Sequence, residues 1–225
     1  MKEKLDEIVT KEMIDNVLNE HIADLGNQVL YDMCQNYFDH TKNDAIFAKT
    51  WIIGRSYAVA LERNNSKQKS EVSLPNDDFY GEVIIPTFLK QSKKIDEKLI
   101  SLRNKKLNDG VLLEIFGTYK LLVEITNKLN RGTKRSFCSK YLHFHLPDLF
   151  FIYDSRAVKA ITKCEIKISK EDLDLIHQFP EIQEYTNFFF KCLKLQHWVE
   201  EKWGESFTPR EIDKLLLMID ARYST

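Results

Sequence analysis

Apolar side chains recur every three to four residues along most of this chain, and that period decides its fold class. Residues 4–22 and 28–40 read as two amphipathic helices. Asp44 to Arg63 (DAIFAKTWIIGRSYAVALER) reads as a long, largely buried helix, with Phe47, Trp51, Ile52, Tyr57 and Leu61 inward and Gly54 allowing close packing. Further helices are expected at 93–107, 110–128, 134–145 and 155–163, after Ser169, over 180–203 and after Pro209. Thr208-Pro209-Arg210-Glu211 carries an N-cap, a proline at the first helical position and a capping-box glutamate. Only 7 glycines and 5 prolines serve 225 residues, too few for a protein of many strands and tight turns. The expected fold class is therefore all-α, with at most a minor strand at Val83–Ile85 before Pro86, a run that reads equally as buried coil.

Asn64 to Asp78 (NNSKQKSEVSLPNDD) is polar and poor in apolar residues. The chain thus reads either as one helical domain over 1–225 or as two lobes, about 1–64 and 79–225, joined by a mobile loop at 65–78. The N-terminus (MKEKLDEIVTKEMIDNVL) lacks the apolar core of a signal peptide, and no apolar run is long enough to span a bilayer. Cys34, Cys138, Cys164 and Cys192 form no C-x-x-C pair, which speaks against structural zinc and a disulfide framework. A cytoplasmic protein without cofactor, membrane contact or obligate protein partner is expected. With a net charge of −1, any nucleic-acid footprint must be local.

One stretch supplies such a footprint. Between Glu124 and Asp148 there is no acidic residue, while Lys128, Arg131, Lys134, Arg135 and Lys140 are all basic. They surround a turn at Gly132-Thr133 that leads into a helix, where backbone N–H groups and the positive end of the helix dipole favour phosphate. A solvated basic helix start fits the same residues. On a helix over 134–145, Phe137, Cys138, Tyr141, Leu142 and Phe144 share one apolar face. Lys134 projects from the N-terminal end of that face and His145 from further along it; Lys140 lies at the flank, and Arg135 and Ser139 point away. A lysine at such a rim is either a nucleophilic amine or a snorkelling side chain. His143 and His145 point about 200° apart on a helix and cannot share a metal ion. Asp154 follows the hydrophobic run Leu149–Tyr153 and precedes SRAVKAITK, so it is a helix N-cap and also a rigid, oriented carboxylate.

Gly132-Thr133-Lys134, a helix, Pro147, then Phe150-Phe151-Ile152-Tyr153-Asp154 resembles the helix-hairpin-helix DNA glycosylases of the 8-oxoguanine glycosylase type. Their hairpin reads roughly L-P-G-V-G-T-K; Leu129-Asn130-Arg131-Gly132 lacks the proline and first glycine and is one residue short. The resemblance implies a helical glycosylase fold and a double-stranded DNA partner with a flipped base. Excision would be of a damaged or modified base, in repair or in phage defence. It implies Lys134, with Lys140 as substitute, or water as the group attacking C1′, and Asp154 as the carboxylate facing the developing positive charge. Lys128, Arg131, Gly132, Thr133 and Arg135 would hold DNA, and Tyr153, Phe151, His145 and Trp51 would line the base pocket. Two rival readings remain: a ribonuclease of the HEPN type using Arg135 and His143, and a non-enzymatic nucleic-acid-binding protein.

Overall fold

The computed structural model describes residues 2–19, 21–62, 76–129 and 134–223, and among them there is no β-strand. The helices are α1 (Lys2–Ile8), α2 (Lys11–Leu18), α3 (Ile22–Asn36), α4 (Asn43–Ser56), α5 (Asn76–Phe79), α6 (Ile85–Leu102), α7 (Leu112–Thr126), α8 (Arg135–His145), α9 (Ser155–Lys163), α10 (Lys170–His177), α11 (Gln183–Trp203) and α12 (Pro209–Arg222). The all-α class holds. The expected helix at 4–22 is instead α1 and α2, because the Thr10 side chain caps α2 by accepting from the Met13 N–H at 3.3 Å.

Val83–Ile85 is helical, which corrects both sequence readings of this run, a minor strand or buried coil. Tyr80–Ile84 forms a π-helical turn that runs into α6. The reason is a helical rather than alternating burial pattern: Tyr80, Ile84 and Phe88, four residues apart, are all buried. Pro86 sits in the first turn of α6, directly after the π-helical turn, and having no N–H it donates no helical bond there.

The chain forms two compact units, one made of 1–24 with 147–225 and the other of 25–146. The division therefore falls inside α3 and after Leu146, not at the polar stretch 65–78, of which 65–75 lie outside the described residues. In the first unit α12 packs on α2, α9 and α11, and α11 also meets α9 and α10. Glu211 and Thr208 complete the expected capping box of α12, the Glu211 carboxylate accepting from the Thr208 N–H at 2.6 Å. Gly204 ends α11 with φ +74°, the left-handed position that favours glycine.

In the second unit α4 packs on α6 and α8, and α7 packs on the same two helices. The buried face of α4 is Ala45, Ile46, Lys49, Thr50 and Ile53 rather than the expected Phe47, Trp51 and Ile52. Lys49 is the reason. Its ammonium donates to the carbonyls of Tyr37, Phe38 and Asp39, just beyond α3, at 2.6, 3.3 and 2.7 Å. These satisfy acceptors that the end of α3 would otherwise leave bare. The helix stops at Ser56, Ala58 takes φ +54°, and the chain folds back. A Cβ on Gly54 would lie 3.1 Å from the Ala60 Cα, so the glycine admits this return rather than a second helix.

Replacing Lys49 with Met removes three hydrogen bonds to buried and part-buried carbonyls and is expected to lower stability by about 2–4 kcal/mol. Urea denaturation measures this; a loss within error of zero would show that the carbonyls find other donors.

Candidate functional site

The basic segment joins α7 to α8. Arg131, Gly132 and Thr133 lie outside the described residues. Lys128 is exposed, while Lys134, at the N-cap position of α8, and Arg135 are half-buried. From Phe137 to His145 every residue of α8 is buried, including Ser139 and Lys140, which corrects the picture of one buried face with polar flanks. Helices α4 and α7 both pack against α8, and residues of α3 and the following loop reach it as well. A helix enclosed on several sides has no solvent flank, so its polar groups find partners inside. Ser139 Oγ donates to the Ser136 carbonyl at 3.1 Å, and Lys140 Nζ to Ser136 Oγ at 3.0 Å. Nζ of Lys140 also lies 5.5 Å from the centre of the Tyr57 ring. Of the two candidate lysines, Lys134 is reachable from solvent and Lys140, 1% exposed, is enclosed.

Below α8 runs a polar network absent from the sequence reading. His40 Nδ1 bonds Asp96 Oδ1 at 2.6 Å, and His40 Nε2 bonds the Tyr141 hydroxyl at 2.6 Å. A carboxylate only accepts, so Nδ1 carries the proton and Nε2 takes the one from tyrosine. His145 Nδ1 donates to the Tyr141 carbonyl at 2.7 Å, and its buried Nε2 has no hydrogen-bond partner among the described residues. Burial, reinforced by the charge of Lys49, holds His145 well below the usual histidine range; burial likewise lowers His40. Burial also pushes the Lys49 ammonium down to about 8. Nothing in the spacing marked His40, Lys49 and Asp96 as partners; the one local signal was a lysine amid the apolar residues of α4.

The four base-pocket candidates are not alike. His145 and Phe151 are 0% and 1% exposed, so both are core residues. Trp51 is partly exposed, stacked on Phe47 at 6.0 Å with Arg55 over its ring. Tyr153 alone of the four lines a described cavity. That groove, of about 430 Å³, lies between α9 and α11. Tyr153 and Phe188 form aromatic walls, their centroids 5.2 Å apart and their planes 85° apart. Gln183, Glu184, Asn187 and Lys191 supply polar groups, and the Tyr153 hydroxyl donates to Glu184 at 3.4 Å.

Asp154 is the N-cap of α9, as expected. Its backbone is extended (φ −151°, ψ 177°), and Oδ1 accepts from the N–H groups of Arg156 and Ala157, both at 3.0 Å. The carboxylate is half-buried, and the positive end of the α9 dipole faces it. The preceding run Leu149–Ile152 is buried, which anchors the chain up to the cap. Asp154 and Tyr153 belong to the unit of 147–225, and Lys134 and Lys140 to that of 25–146. No group of three or more His, Cys, Asp or Glu that could hold a metal occurs among the described residues, and no described helix is long and apolar enough to cross a membrane.

Compared with protein-family models, with curated proteins and with solved structures, the chain matches none.

The buried histidines make stability depend on acid. Their folded pKa values lie below the ordinary value of 6.5, so the unfolded chain takes up protons first. The contribution is complete above about pH 6.5 and is lost as the pH falls below it. The melting temperature should therefore drop between pH 7.5 and pH 5, and His145→Phe should make that drop shallower. A variant with an unchanged pH profile would remove His145 from this account.

Proposed function

We propose that this protein is a DNA glycosylase that excises a damaged or modified base from a flipped nucleotide, with Asp154 as the carboxylate that assists the reaction. One observation carries the reading. Asp154 is fixed at the N-terminus of α9 by two backbone N–H bonds to a single carboxylate oxygen, at the end of a buried hydrophobic run. A carboxylate anchored in this way needs little reorganisation to face a developing positive charge. The basic segment 128–135, α8, the buried run Leu149–Ile152, Asp154 and α9 follow one another in the order on which the resemblance rests.

In the reaction, a water oxygen forms a bond to C1′ as the C1′–N bond breaks. The base leaves with that electron pair and acquires a proton from solvent. Asp154 offsets the positive charge on the sugar and receives the proton of the attacking water, leaving a free base and an abasic site. An amine in place of water would give a covalent lysine adduct. Lys134 is the accessible amine, and the enclosed Lys140 is the weaker nucleophile candidate. Lys128 and Arg135 remain as phosphate contacts. The ribonuclease alternative loses support because His143 is fully buried, with Nε2 bonded to the Tyr31 hydroxyl at 2.7 Å.

Asn caps helices about as well as Asp, so Asp154→Asn removes charge while keeping the fold. Duplexes carrying oxidised, alkylated or hypermodified bases should accumulate abasic sites, read by alkaline strand scission. Asp154→Asn should slow this at least ~100-fold with little change in melting temperature. Borohydride trapping that disappears with Lys134→Gln identifies the amine; abasic sites without trapping identify water. No abasic sites on any of these duplexes would overturn the proposal.

A further inference from the structure

Gln183 and Asn187 stand one turn apart on α11, both facing the groove against α9. Neither side-chain amide has a hydrogen-bond partner among the described residues, whereas the neighbouring Glu184 is engaged by the Tyr153 hydroxyl. A primary carboxamide carries a C=O acceptor and an N–H donor side by side. It therefore pairs through two bonds with any planar heterocycle that presents a donor next to an acceptor. The aromatic walls Tyr153 and Phe188, set at 85°, offer one ring for stacking and another for an edge contact. At about 430 Å³ the groove falls in the size range of small-molecule sites.

We propose that this groove binds a nucleobase, with the amides of Gln183 and Asn187 reading its hydrogen-bonding edge and Tyr153 and Phe188 holding its faces. Resting on the excision reading, it makes this the place where the departing base is recognised. A purely apolar aromatic would displace water from the amides without replacing its hydrogen bonds, which penalises it relative to a base. Lys191, one turn beyond Asn187, adds a donor at the far end and Glu184 an acceptor at the near end. Selection then favours bases rich in both donors and acceptors.

The test is an equilibrium titration of the full chain with free cytosine, uracil, adenine and hypoxanthine, followed by tyrosine and tryptophan fluorescence or by NMR. Indole, an aromatic ring without an adjacent donor–acceptor pair, is the control. At least one base should bind more tightly than indole, and Gln183→Leu or Asn187→Leu should weaken it about tenfold while leaving indole unchanged. Both positions are solvent-accessible on a helix and leucine is a good helix former, so the variants keep the fold. No base binding up to the solubility limit, indole binding as tightly as the best base, or unaltered affinity in both variants would each overturn the inference. The readout is independent of cleavage. Abasic sites without base binding would overturn the groove assignment and leave excision standing. Base binding without abasic sites would overturn excision and leave a nucleobase site.

Discussion

The chain just beyond α3 ends in three successive backbone carbonyls that turn inward, and the unit of 25–146 is arranged around satisfying them. Unpaired carbonyls inside a protein are costly, and the ammonium of Lys49 meets all three. Drawing a charged side chain inward rotates α4, so that its buried face runs through residues 45, 46, 49, 50 and 53. The same turn presents His40, whose two ring nitrogens join Asp96 on α6 to Tyr141 on α8. One short loop thereby ties three helices together through directed bonds. Each bond is made in a low-dielectric interior where losing a partner is expensive.

This arrangement explains why α8 is enclosed. With α4 and α7 against it and His40, Tyr31 and Gln35 reaching its C-terminal half, polar residues along the helix are committed to internal partners. Lys140 and His145 therefore belong to the core rather than to a surface that meets DNA. What remains accessible is the start of the helix, where Lys134 and Arg135 lie. The unpartnered Nε2 of His145 is the one place where the network is incomplete among the described residues, and it couples that core to acid.

In the unit of 1–24 and 147–225, Asp154 serves as a cap, and capping is compatible with chemistry rather than opposed to it. The cap bonds orient the carboxylate and fix the backbone, and the buried run before it limits its movement. The groove between α9 and α11 combines aromatic walls with polar groups along one helix. Such a combination is common to small-molecule sites.

The all-α class, most helix positions, the capping box of α12 and Asp154 at the start of α9 were legible in the sequence, because each depends on residues within a few positions of one another. Burial of α8 on all sides, the inward turn of Lys49 and the partnership of His40 with Asp96 and Tyr141 were not. These residues are 56 and 101 positions apart, and no local period encodes their meeting. For the same reason Trp51, Phe151 and His145 looked like pocket residues as readily as Tyr153 did. Periodicity says that a side chain is apolar and on which stripe of its helix it lies. Only tertiary packing decides whether a side chain is enclosed by other helices, as His145 is, or borders a groove, as Tyr153 does from the segment before α9.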